Sequence, residues 1–199
     1  MPYYDLAVTS LAAPLYVVTG VLILAGTAKV FTPSPTATAL RELKVPKPLI
    51  AARLMGAGEV ILGIAAIATG APLLWALVAV SYALFAIFIL WALGGDNAVG
   101  SCGCFGHEDT PPTPGHAAFN AAAATVAALA VADPVTLGDF DGSVLEALVA
   151  ITLIGTAIAL VIAALTTLPR TLAYARGTAA PIVPTFSLEN TSTTPQGRQ

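Results

Sequence analysis

Charged side chains are scarce in this chain. Eight of its 199 residues are Lys or Arg and eleven are Asp or Glu, so 10% are charged, where soluble domains average about 25%. With 57% hydrophobic residues and a mean hydropathy of +0.85, a soluble fold would have to leave large apolar areas in water, which monomeric proteins rarely do. A basic cluster is lacking too, which argues against nucleic acid as a partner. The apolar runs lack the polar/apolar alternation of a membrane barrel. Met1 to Gly20 contains no Lys or Arg, so the first apolar run has no signal-peptide n-region and is expected to be retained. An internal repeat is absent as well, which weakens a transporter reading.

What the chain does have is five apolar stretches near the roughly 20 residues needed to cross a hydrocarbon core of about 30 Å. They run from Leu11 to Phe31, Leu49 to Thr69, Leu73 to Leu93, His116 to Ala132 and Val144 to Leu165. Helix is the state expected of them, because an open strand cannot satisfy its backbone in lipid. The expected fold is therefore all-α: a polytopic bundle of four to five transmembrane helices in the bilayer. The fourth run is short and Ala-rich, so it either spans, re-enters or packs inside the others. The transmembrane domain is expected over 1–168, followed by a polar tail over 169–199. From about Thr178 that tail is rich in Pro, Thr and Ser and is expected to be disordered.

Connections between the runs carry their own signals. Ser34-Pro35 reads as an N-cap followed by proline at the first helical position. Ala37, Leu40 and Leu43 then recur at helical spacing, which predicts a short helix on the membrane surface, ended by Pro46 and Pro48. Gly70-Ala71-Pro72 reads as a tight turn. All eight basic residues lie near the first connection or in the C-terminal tail. Five crossings put both regions on one side, and the positive-inside rule makes that side cytoplasmic. The expectation is a plasma-membrane protein with its N-terminus outside. The loop from Gly94 to Gly115 and the tail then face the cytoplasm.

Chemistry concentrates in that loop. The two cysteines stand in Ser101-Cys102-Gly103-Cys104-Phe105-Gly106. A Cys-x-Cys pair can close a small ring that is strained and readily reduced, suited to exchange rather than stapling. The plainer alternative is two small apolar residues packed in a glycine turn. A third reading is a metal: Cys102, Cys104, His107 and His116 supply two thiolates and two imidazoles, a set that suits tetrahedral zinc or Cu(I). His116 also fits a cap on the fourth helix.

Ionisable residues within the apolar runs are the second clue, since they are costly in lipid and normally face the bundle interior. Glu59 falls near the middle of the second run, with Gly56 and Gly63 on its face, where small residues let another helix approach. Lys29, Arg53 and Asn120 all fall in the cytoplasmic third of their runs. The two cations among them, Lys29 and Arg53, would favour a reactive thiolate nearby. Snorkelling to the interface is the alternative for Lys29 and Arg53.

Four elements recur together: Gly26-Thr27-Ala28-Lys29, Gly58-Glu59 followed by Gly63, Cys102-Gly103-Cys104-Phe105-Gly106, and Phe119-Asn120. With them the chain resembles the MauE family of methylamine-utilisation membrane proteins, within the DoxX-like redox-associated group, over roughly Leu11 to Leu165. It departs from that pattern at Phe119, where an Arg often precedes the Asn, and in its longer polar tail. The resemblance implies an accessory role in maturation of methylamine dehydrogenase, by disulfide formation, isomerisation or reductant transfer with a thioredoxin-like partner. It makes Cys102 and Cys104 the redox pair of a thiol-disulfide oxidoreductase. Lys29, Glu59 and Asn120 become tuning or proton-handling groups, with Arg53 beside them. The residues fix no cofactor; a quinone is the candidate. The alternative is a non-catalytic membrane subunit anchoring a redox partner, with a structural or metal-binding loop. Disulfide formation suits an oxidising compartment whereas the charge rule puts the loop on the reducing side. An electron relay fed by cytosolic thiols and a loop folded back into the bundle are both consistent with that.

Overall fold

The computed structural model describes residues 3–94, 112–136, 143–167 and 171, with side chains from residue 12 onward. The described residues form α1 (Tyr3–Phe31), α2 (Ser34–Glu42), α3 (Pro48–Thr69), α4 (Pro72–Leu93), α5 (Pro114–Leu129) and α6 (Val144–Thr166). Among the described residues the fold is all-helical, as the apolar runs require. Cys102, Cys104 and His107 lie outside the described residues, as does all of the 169–199 tail except Thr171.

Proline and glycine punctuate the chain as their backbone preferences dictate. Pro48, Pro72 and Pro114 each open a helix, where a missing N–H costs nothing and φ is already helical. Gly70 ends α3 at φ 64, in the left-handed region that favours glycine, and its N–H bonds to the Ala66 carbonyl at 2.9 Å. Ser143 and Glu146 form a reciprocal capping box at the start of α6. The N-cap expected at Ser34 is corrected. The Pro33 carbonyl already accepts from the Ala37 N–H at 2.8 Å, so Pro33 is the cap and Ser34 lies inside the helix. The face of α2 differs too. Pro35, Thr36, Ala37 and Ala39 are buried, while Leu43 is 44% exposed. The small residues turn inward because α2 packs closely on α3.

Two tight helix pairs make up the bundle, α1 with α3 and α4 with α5, while α6 touches mainly α1. Leu15, Val18, Leu22, Trp75, Val78, Tyr82 and Ala127 form the shared core. Large apolar side chains such as Leu54, Ile61, Leu73 and Leu153 are exposed, which suits a lipid-facing surface. Four helices are long and apolar enough to cross a membrane: α1 from Ala12, α3, α4 and α6.

The fourth apolar run forms a short helix, as its sequence suggested, set two residues earlier at its start. α5 has 16 residues, about 24 Å at 1.5 Å per residue, against a hydrocarbon core of about 30 Å. It nevertheless runs the depth of the bundle. Its first turn borders a cavity with Lys29 and Leu165, and the chain beyond its far end brings Val135 into the core beside Trp75. There the Tyr16 hydroxyl donates to the Thr136 carbonyl at 2.9 Å. One end of the bundle thus holds Lys29 and the start of α5, and the other holds Gly70 and Thr136.

Candidate functional site

α1 and α3 cross where both are smallest. A Cβ on Gly26 would come within 2.6 Å of the Gly56 carbonyl oxygen, and one on Gly56 within 2.5 Å of the Gly26 carbonyl oxygen. Backbones this close bring the next polar residues of each helix together. Lys29 Nζ lies 2.7 Å from Glu59 Oε2, with the two side chains 2% and 5% exposed. Neither charge could stay buried alone, because desolvation would cost several kcal/mol. Each is tolerable because it faces the other. The ammonium also sits 4.9 Å from the centre of the Phe85 ring, a cation–π contact from α4.

α5 contributes the second half of the cluster. Thr113 caps it: its hydroxyl accepts from the His116 N–H at 3.4 Å and lies 2.7 Å from His116 Nδ1. That contact pins the imidazole, which is 1% exposed. One turn later Asn120 is buried, and its Nδ2 donates to the His116 carbonyl at 2.7 Å. Phe119 meets Tyr82 edge to face with ring centres 6.2 Å apart. The Tyr82 hydroxyl donates to the Val18 carbonyl at 2.6 Å, fixing α4 against α1.

These side chains surround one cavity of about 30 Å³, lined by Lys29, Tyr82, Phe85, His116, Phe119 and Asn120 with apolar residues of α1 and Leu165 of α6. Two polar atoms of the cluster are buried without a hydrogen-bond partner among the described residues, Glu59 Oε1 and His116 Nε2. The Leu165 backbone lies close to the His116 ring, but not in a geometry that satisfies Nε2. An unmade hydrogen bond in such a place costs about 1–3 kcal/mol.

The family model of the methylamine utilisation protein MauE matches residues 7–133, well over half of the chain. The protein belongs to the MauE family. The match takes in nearly all of α1 and the whole of α2 to α5, and it stops short of α6. Membership implies an accessory membrane protein related to methylamine dehydrogenase. No curated protein and no solved structure matches the chain.

Of the residues singled out from the MauE-like sequence, Lys29, Glu59, Asn120 and His116 are brought together. Arg53 is not: it is exposed on α3 and makes no hydrogen bond or ion pair among the described residues. Gly56 and Gly63 face neighbouring helices, whereas nothing lies within 4 Å of where a Gly58 Cβ would sit. Among the described residues no group of three His, Cys, Asp or Glu side chains is close enough to hold a metal. The tetrahedral set suggested for Cys102, Cys104, His107 and His116 falls largely outside them. Tyr82, Phe85 and Thr113 were missed. The first two sit in an almost uniformly apolar helix where no periodicity singles them out. Thr113 carried a readable signal, a Thr followed by Pro at the next position.

Proposed function

We propose that this MauE-family protein performs membrane thiol-disulfide exchange or electron transfer through Cys102 and Cys104, supporting maturation of a methylamine dehydrogenase-like partner protein. The observation that supports this most is the buried cluster of Lys29, Glu59, His116 and Asn120 at one end of the bundle. The cysteine segment is attached at that end, because it joins α4 to α5 and the first two turns of α5 carry His116 and Asn120. In the exchange, a Cys thiolate attacks a disulfide of a thioredoxin-like partner to form a mixed disulfide. The second cysteine then resolves it. Two electrons and the two thiol protons pass to the partner, which leaves as a dithiol. Lys29, Glu59 and Asn120 act as tuning or proton-handling groups, and the charge rule puts them at the cytoplasmic end. The pair is left as a disulfide, which cytosolic thiols return to the dithiol; were exchange to run the other way, from a partner dithiol, a quinone would be the membrane-soluble oxidant that restores the disulfide.

Alkylation of the full chain tests the pair. Under mild oxidant both thiols should resist alkylation and become reactive after a thiol reductant, and Cys102→Ser or Cys104→Ser should abolish that behaviour. Free alkylation under every oxidant would defeat exchange and favour the anchoring subunit. Alkylation blocked in reduced protein and restored by a chelator would favour a metal site. Reporter fusions after Gly70, Gly103, Asp139 and Thr178 test the orientation. An exported reporter at both Gly103 and Thr178 would reverse it.

A further inference from the structure

The polar cluster has loose ends. His116 Nε2 and Glu59 Oε1 are buried without partners among the described residues, and Lys29 has three N–H donors, of which Glu59 Oε2 takes one at 2.7 Å. His116, Lys29 and Asn120 border the same cavity of about 30 Å³. A water needs about 10–15 Å³ on that measure and two or more polar partners. Both conditions are met.

We infer that this cavity holds water, and that His116, the water and Lys29 form a proton route to Glu59 from the end of the bundle where Thr113 caps α5. A proton enters the ring at Nδ1, beside the Thr113 hydroxyl, and makes an imidazolium. The imidazolium gives its Nε2 proton to the water as the water gives one of its own to Lys29 and Lys29 gives one to Glu59 Oε2. His116 returns to neutral and the water and ammonium are restored. The one net change is a Glu59 carboxylate turned into a neutral acid.

Among the described residues, the titratable groups around the cavity are Lys29 of α1, His116 of α5 and Tyr82 of α4. Glu59 of α3 stands behind Lys29 through the ion pair, and α6 adds only Leu165. Tyr82 is outside the route because its hydroxyl proton is committed to the Val18 carbonyl. This inference deepens the proton-handling role proposed for Lys29 and Glu59 and rests on it. It does not involve the cysteines, so its failure and that of the exchange reading are read in separate assays.

The test is infrared spectroscopy of the full chain in phospholipid nanodiscs after a jump to acid pH. The band to follow is the protonated carboxyl signal that Glu59→Gln removes. His116→Phe takes away the entry group. Ala25→Val fills the cavity, which Ala25 also lines, and leaves every polar group in place, so it serves if the first variant does not fold. Each variant should slow the appearance of the Glu59 band by about tenfold or more, equivalent to about 1.4 kcal/mol in the barrier. A wild-type rate in either variant would overturn the route, and so would the absence of a Glu59 carboxyl band at every pH.

Discussion

The α1–α3 crossing and α6 are both helical and both apolar, yet they sit in opposite environments. At the crossing two glycines let backbones touch, and a lysine and a glutamate are sealed from lipid by each other. α6 buries little besides Leu165 and Thr166 in its last turn, and nothing lies within 4 Å of where a Gly155 Cβ would sit. The matched family region includes the first and stops before the second. Hydropathy treats these helices alike, whereas packing separates a helix that carries a polar site from one that mainly meets lipid.

The largest effect that would break this contrast is expected from Gly56→Leu. Its new side chain meets the Gly26 backbone oxygen, which cannot rotate away, and parting the helices also breaks the ion pair. The cost should exceed the about 1–3 kcal/mol of ordinary overpacking, seen as loss of monodisperse protein after extraction. Glu59→Leu comes next. It strands the Lys29 ammonium and should cost about 3–5 kcal/mol in a denaturation series, while adding Lys29→Met should recover most of that loss. Glu59→Gln, which keeps a hydrogen-bonding partner for Lys29, should fall between. If Glu59→Leu alone were neutral, the pair would have no structural weight.

Smaller effects sharpen the comparison. Tyr82→Phe removes one buried hydroxyl bonded to the Val18 carbonyl at 2.6 Å and should lower stability by about 1 kcal/mol. On α6, Gly155→Leu should stay within about 0.5 kcal/mol of wild type, as substitutions away from packed features do. A large loss there would mean that α6 packs against something its exposed surface does not reveal. Thermal unfolding in one detergent, measured side by side for all variants, ranks them directly.

Much of this was legible in the residues themselves. The apolar runs marked every long helix, and Pro48, Gly70 and Pro72 marked their ends. Glu59 announced an interior role because no carboxylate at that depth can reach water. The cap of α2 was misread because Ser34 is a good N-cap and competes with Pro33, whose carbonyl begins the bonding one residue earlier. The capping box of Ser143 and Glu146 was present as Ser-x-x-Glu and also readable.

Composition and hydropathy by themselves determined membrane residence and helical state, since a backbone in lipid must satisfy its own hydrogen bonds. Proline and glycine also marked several helix ends, at Pro48, Gly70 and Pro72, because they act locally, whereas α1 begins at Tyr3 and not at Leu11. Only the tertiary structure decided which ionisable residues meet. Lys29 and Arg53 looked alike, each a cation about one turn from a helix end. One faces Glu59 across the glycine crossing, and the other points outward from a different side of α3. That choice depends on how α1 and α3 are rotated about their axes, which is set by the fit of small residues between two helices. His116 and Asn120 join the same cluster from α5 for the same reason: a cavity shared by four helices exists only once they pack.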